Sequence, residues 1–212
     1  MVDRVADLLS RFYGVPVRFL EPLNLNSLDE SAFEGDQEGS GRRLFTDYVL
    51  GRLRSGPHRP NDVAAMLALT PLDLARNDQG AWAFGQASLV DRVAVVSLFR
   101  QGDPNVDFTL SLRRTLKTCL HEVGHSFGIP HCAAYQCGMN GSSHREEADR
   151  RPLWFCAEDE MKVWLACRLD PAPRYERLID FAQSNGLEEE ARFWSASRQA
   201  LRGPGRPLAS AR

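Results

Sequence analysis

Three histidines and a glutamate fall within the eleven-residue run HEVGHSFGIPH, as His121, Glu122, His125 and His131. On a helix, His121 and His125 stand four positions apart, so both imidazoles project from one face and can grip a single ion. Glu122 lies roughly 100° further round, at about 3.6 residues per turn, which places its carboxylate beside that ion rather than on it. Gly128 permits the positive φ that ends a helix, and Pro130 keeps the helix from resuming. The chain therefore turns back and presents His131 as a third ligand. Three neutral nitrogens on a tetrahedral zinc leave one position for a water, whose pKa falls to about 7. Such a set suits hydrolysis of an amide-type bond, with Glu122 taking the water's proton and passing it to the leaving amine.

The residues beyond the third histidine narrow the chemistry further. Cys132 comes next, then four residues, Cys137, Gly138 and Met139, then Gly141-Ser142-Ser143-His144-Arg145-Glu146-Glu147-Ala148-Asp149-Arg150-Arg151-Pro152-Leu153, and Cys156. From about residue 119 to 159 the chain resembles the archaemetzincins, a family of zinc metallopeptidases in the metzincin clan. A looser similarity covers Ala68-Leu69-Thr70-Pro71-Leu72-Asp73-Leu74 and Trp82-Ala83-Phe84-Gly85.

That resemblance implies an α+β, metzincin-like zincin: a mixed twisted sheet with an edge strand at the cleft, a zinc helix, then a mainly helical C-terminal part. It implies a methionine turn at Met139 flooring the metal, with Glu122 as general base and one catalytic zinc on His121, His125 and His131. It also implies a second, structural zinc on four cysteines. Cys132, Cys137 and Cys156 match three of them, while Asp159 stands where the family has its fourth. An aspartate oxygen is an acceptable zinc ligand but a harder one than thiolate, so a weakened site is expected. His144 is a second candidate for the fourth ligand. Cys167 is not: helical composition from 157 to 169 puts it roughly 16 Å from Cys156 at about 1.5 Å per residue. Cys119 and Cys167 read as buried small hydrophobes.

The expected substrate is an extended peptide pairing along an edge strand, for which 82–88 is the candidate. The alternative for that segment is a plain hairpin arm with a bulge at Gly85. Tyr135 and His144 are candidates to stabilise the oxyanion. Two rival functions share the same site: a non-catalytic zinc-organised binding module, and a zinc hydrolase of non-peptide amides. The intact Glu122 favours an enzyme.

Composition sets the frame. With 212 residues, 43% hydrophobic and 25% charged, the chain is ordinary globular material, and a net charge of −2 gives no electrostatic case for nucleic acid or an anionic membrane. Charges interrupt every apolar stretch of the N-terminus, so no signal or spanning segment is expected. Cysteines at zinc spacing suit a reducing compartment, which predicts a cytoplasmic protein, taken as a monomer. The expected organisation is an N-terminal subdomain over 1–128, a C-terminal one over 129–202 and a flexible tail over 203–212.

Hydrophobic periodicity predicts an N-terminal helix ending at Gly14, a strand over 15–20, a loop over 24–42 and a helix over 43–53. Next come a strand over 63–69, a turn-rich stretch over 73–80 and a tight pair of strands over 82–88 and 90–99. The zinc helix is expected over 109–127, a metal-organised loop over 130–152, and helices over 157–169, 175–184 and 187–201. The charge run 145–151 reads as a solvated face, with loop-pinning ion pairs as the alternative.

Overall fold

Val5, Leu8, Leu9 and Phe12 return to one face of the first helix, α1 (Val2–Tyr13), which Gly14 ends in the left-handed region with φ 64°. The computed structural model describes residues 1–35, 41–55, 59–76 and 81–201, so the tail expected over 203–212 lies outside them. After α1 come β1 (Phe33–Glu34), β2 (Arg43–Phe45), α2 (Thr46–Ser55), β3 (Met66–Thr70), β4 (Leu74–Ala75), β5 (Trp82–Ala83), β6 (Gly85–Ser88) and β7 (Val93–Ser97). The remaining elements are α3 (Phe108–Ser126), α4 (Arg145–Arg150), α5 (Ala157–Cys167), α6 (Pro171–Ser184) and α7 (Glu188–Leu201). None of these helices is long and apolar enough to cross a membrane.

Contacts divide the chain into two units, one of Arg18–Cys156 and one of Asp3–Val17 with the described residues from Ala157 onward. All three histidines, Glu122, Met139 and the three candidate zinc cysteines lie in the first.

In that first unit the strands form two small sheets, ordered β1-β2-β4-β5 and β3-β7-β6. β7 is central in the second, parallel to β3 and antiparallel to β6, and every residue of it is buried, as an apolar Val-Ala-Val-Val run requires. Leu44, Leu74, Met66, Val93, Val95 and Leu50 form a core cluster that joins strands of both sheets to α2. Packed against β6 and β7 is α3, whose start is fixed by Asp107: its carboxylate accepts from Leu110 N at 2.9 Å. Leu112, Leu116 and Leu120 are wholly buried along α3. The buried hydroxyls of Thr115 and Thr118 donate to carbonyls four residues back, at 2.8 and 3.0 Å, so neither is orphaned by its burial.

In the second unit, Arg174 is fully buried and anchors α6: its Nε donates to the Phe12 carbonyl at 2.6 Å and its guanidinium pairs with the buried Glu160 of α5.

Several expectations fail locally. Residues 15–20 form no strand, and Phe19 and Leu20 stay exposed, because no strand pairs with them among the described residues. The helix expected from 43 begins at Thr46, since Arg43–Phe45 instead pairs with β1 and β4 through Leu44↔Leu74. The expected loops over 24–42, 73–80 and 130–152 contain β1, β4 and α4. Elements of two to six residues are too short for periodicity to register. Residues 82–88 are shared between the sheets, breaking at Phe84.

Candidate metal centre

His121 and His125 sit on the buried face of α3, and the turn after it delivers His131. Phe127 N bonds back to the Val123 and Gly124 carbonyls, Gly128 takes φ 79°, and Ile129 N returns to the Gly124 carbonyl at 3.2 Å. Ligand nitrogens of the three histidines all lie within 4.8 Å of one another. Two of the rings are aimed from behind. His121 Nδ1 meets the Gly138 carbonyl at 2.9 Å and His125 Nδ1 the Ile129 carbonyl at 2.7 Å, so each Nδ1 carries the proton and each Nε2 presents a lone pair. Those two Nε2 atoms stand 3.1 Å apart. Two facing lone pairs repel unless a cation lies between them. Tetrahedral bonds of about 2.0–2.1 Å put ligand nitrogens about 3.3 Å apart, so the donor set fits zinc.

Burial also holds the rings neutral. It pushes the His121 imidazole well below its usual range, with the Arg151 cation adding to the effect, and lowers His125 and His131 in the same direction. The same burial drives Glu122 the other way, up to about 8, with partial relief from Arg151 and Arg76. Glu122 is itself 7% exposed, and Gly85 of β6 leaves room for it: a Cβ there would stand 2.8 Å from Glu122 Cγ. That close approach, in an unbroken register of Gly85↔Val96 and Gln86↔Val95, replaces the bulge considered for this glycine.

Met139 is fully buried beneath the helix, where a Cβ on Gly124 would come 2.5 Å from its sulfur. Behind it the sulfur atoms of Cys132, Cys137 and Cys156 lie within 4.8 Å of one another, with Cys132 and Cys156 4.0 Å apart. Zinc–sulfur bonds of about 2.3 Å would place tetrahedral sulfurs about 3.8 Å apart, so these three also suit the metal. Backbone N–H groups of Met139 and Cys156 point at Cys137 Sγ, at 3.4 and 3.1 Å, as they would toward a thiolate. Asp159 follows Cys156 by three residues, in the first turn of α5. None of the five cysteines, all among the described residues, forms a disulfide; Cys119 is buried with its thiol pushed up by desolvation, and Cys167 belongs to neither group.

A family model for peptidase family M54 matches residues 45–164. The chain belongs to this family, the archaemetzincins. It is 30% identical over 207 residues to archaemetzincin-2 of Mus musculus, across 84% of this chain and 57% of that protein. It therefore spans little more than half the length of that relative. With the archaemetzincin of Thermococcus kodakarensis it shares 30% identity across 77% of this chain and 88% of that one. Among solved structures, the archaemetzincin of Methanopyrus kandleri superposes with a TM-score of 0.61 at 29% identity, covering 79% of this chain and 86% of that one. The archaemetzincin of Archaeoglobus fulgidus, complexed with malonate, gives 0.59 at 26%, covering 76% and 90%. The mixed α+β fold is thus an archaemetzincin fold.

Not every expected residue of this archaemetzincin chain reaches the centre. His144 points to solvent and pairs with Glu146 and Glu147, at 2.8 and 3.4 Å, which removes it as a fourth ligand. Tyr135 is 59% exposed. Two residues went unforeseen. Asn140 closes the loop between Cys132 and Cys137: its Nδ2 donates to the Cys132 and Tyr135 carbonyls at 2.7 and 2.8 Å, and its Oδ1 accepts from Cys137 N at 2.9 Å. Arg151, read as part of a solvated face, is buried and donates to the Asn140 carbonyl at 3.2 Å. The charge run is a pinning device after all, since Arg114 of α3 holds Asp149 with two bonds of 2.8 and 2.6 Å. An asparagine in a loop and an arginine among charges carry no periodic signal that would have marked them.

Proposed function

We propose that this chain is a zinc metallopeptidase in which His121, His125 and His131 hold the catalytic ion and Glu122 is the general base. The observation that carries this reading is the 3.1 Å approach of two lone-pair nitrogens beside a buried carboxylate. When bound, zinc supplies Lewis acidity, polarising a carbonyl and making water acidic near neutral pH. Glu122 accepts the water's proton at its carboxylate and returns it to the leaving amine nitrogen. The Gly138 and Ile129 carbonyls keep His121 and His125 in the tautomer that leaves Nε2 available. β6 ends its sheet, so its outer edge is proposed to pair with an extended peptide, with Gly85 bringing that edge onto Glu122.

Cys132, Cys137 and Cys156 are proposed to hold a second, structural zinc with Asp159 as fourth ligand. Asp159 suits that role because it lies one helical turn past Cys156, in the first turn of α5. In this reading residues to 128 supply two histidines and the edge strand, and residues from 129 supply the third ligand and Met139. The cysteine-rich site favours a reducing, cytoplasmic setting, and the protein is proposed to act as a monomer.

The test is a cleavage profile of a peptide library treated with zinc-loaded wild type and with Glu122→Ala, alongside metal analysis of both. Cleavage sites present in wild type and lost in the variant, at equal zinc content, support the enzyme. Identical profiles would leave the zinc-organised binding module as the better reading.

A further inference from the structure

Although the whole chain carries a formal charge of −2, the surroundings of Glu122 are rich in arginines, not all of which have an acid of their own. Arg151 is 5% exposed, its Nε has no hydrogen-bond partner, and no carboxylate pairs with it among the described residues. Its field nevertheless reaches Glu122 and all three histidines. Arg76 is exposed and likewise has no ion pair among the described residues. It comes directly after β4, bonds through its backbone N to the Ala81 carbonyl at 2.9 Å, and so stands at the entry to β5, close enough for its charge to act on Glu122. Arg145 lies 4.0 Å over the Phe84 ring, one residue before Gly85. Its nearest carboxylate, Asp149 at 3.9 Å, is already held twice by Arg114. Arg100 lies 4.5 Å over Trp82, but Asp73 neutralises it through paired contacts.

The remaining acids of this region are engaged or exposed: Glu146 meets His144, and Glu147 accepts from Ser143 N at 2.7 Å. Three guanidinium groups therefore border the 82–85 segment and the catalytic base; Arg76 and Arg151 have no carboxylate of their own among the described residues, and Arg145 shares Asp149 with Arg114. A cation in a low-dielectric site without a counter-ion is costly, and an incoming anion recovers that cost. Guanidinium groups meet carboxylates with directional, charge-assisted bonds, and complementary charge is what sorts one partner from another.

We infer that this site takes acidic peptides, binding an Asp or Glu side chain close to the scissile bond among Arg76, Arg145 and Arg151. The inference rests on the peptidase reading above, yet it can be tested without turnover. Zinc-loaded full-length Glu122→Gln protein is titrated with fluorescent ten-residue peptides that differ only by Glu or Gln at single positions. At 50 mM salt the acidic member is expected to bind about tenfold more tightly at one or two adjacent positions, with the advantage shrinking as salt rises. Arg76→Gln and Arg145→Gln should each cut that ratio several-fold. Because removing the buried cation can unfold the loop, Arg151→Lys, which keeps the charge, serves as the third variant and should hold the ratio above one. Equal affinities, or a ratio untouched by both glutamine variants, overturn the inference. Selective binding of acidic peptides that wild type never cleaves would instead sustain it while removing the hydrolytic reading.

Discussion

Gly85 lies directly on Glu122: a Cβ added to it would stand 3.0 Å from the carboxylate Oε1 and 2.9 Å from the Val95 carbonyl. The Val95 oxygen belongs to a buried central strand, so β6 must draw back from it and the Glu122 side chain must also move. Gly85→Ala is expected to lower kcat by roughly 10- to 100-fold, since misplacing a catalytic group by about 1 Å can cost about 10²-fold. Zinc content should not change. Steady-state kinetics with metal analysis check this, and a wild-type kcat in the variant would remove Gly85 from any part in placing the base.

Glu122→Gln should keep its zinc, because all three histidines remain, and lose about 10²- to 10⁴-fold in hydrolysis. The metal-free protein adds a pH signature. Burial raises Glu122 from 4.5 to about 8, so the native state holds its proton more tightly than the unfolded chain does. The resulting stability is fully present below about pH 4.5, declines as pH rises, and is gone above about 8. Glutamine does not titrate. The Tm of metal-free wild type relative to Glu122→Gln should therefore fall between those two values and stay level beyond them, as read by calorimetry. A Tm difference independent of pH would place Glu122 in contact with solvent.

Acid should strip the catalytic metal. Burial lowers all three imidazoles, so they stay neutral and able to bind zinc further into acid than a free imidazole with its pKa of roughly 6.5. Zinc measured after buffer exchange is expected to be retained at about pH 6 and lost by about pH 4. Content that stays flat down to that lower pH contradicts a three-histidine centre.

Wild-type protein purified under reducing conditions should carry two zinc ions, one of them removed more readily by a chelator. Asp159→Cys replaces the hard oxygen with a soft sulfur one turn from Cys156, and should slow that removal and raise the Tm. One zinc per chain, unchanged by the substitution and without a gain in Tm, would mean that the second site is not a metal site.

The helix α3, its N-terminal start within one residue and the turn to His131 were all legible in sequence. Each depends on local chemistry: histidines spaced by one turn, and Gly128 then Pro130 as a stop. Long periodic helices such as α5 and α7 were legible for the same reason. β1, β2 and β4 were not, because two or three residues hold their strand geometry only through neighbours such as Leu44 and Leu74, distant in sequence. Arg151 and Asn140 escaped for a related cause. What makes them matter is burial and a hydrogen-bond pattern set by the folded loop, and neither leaves a mark in residue order.

The break at Phe84 sets a length scale on recognition. β5 and β6 belong to different sheets, so a peptide pairing with β6 on the proposed reading meets ladder only along Gly85–Ser88. At about 3.3 Å per residue that is a footprint of roughly 13 Å. So short a ladder supplies little affinity from backbone alone and reaches few residues on one side of the cut. Turnover should therefore climb with substrate length only over about four residues and then level off, which would make this a processor of small fragments and protruding loops as readily as of long extended chains.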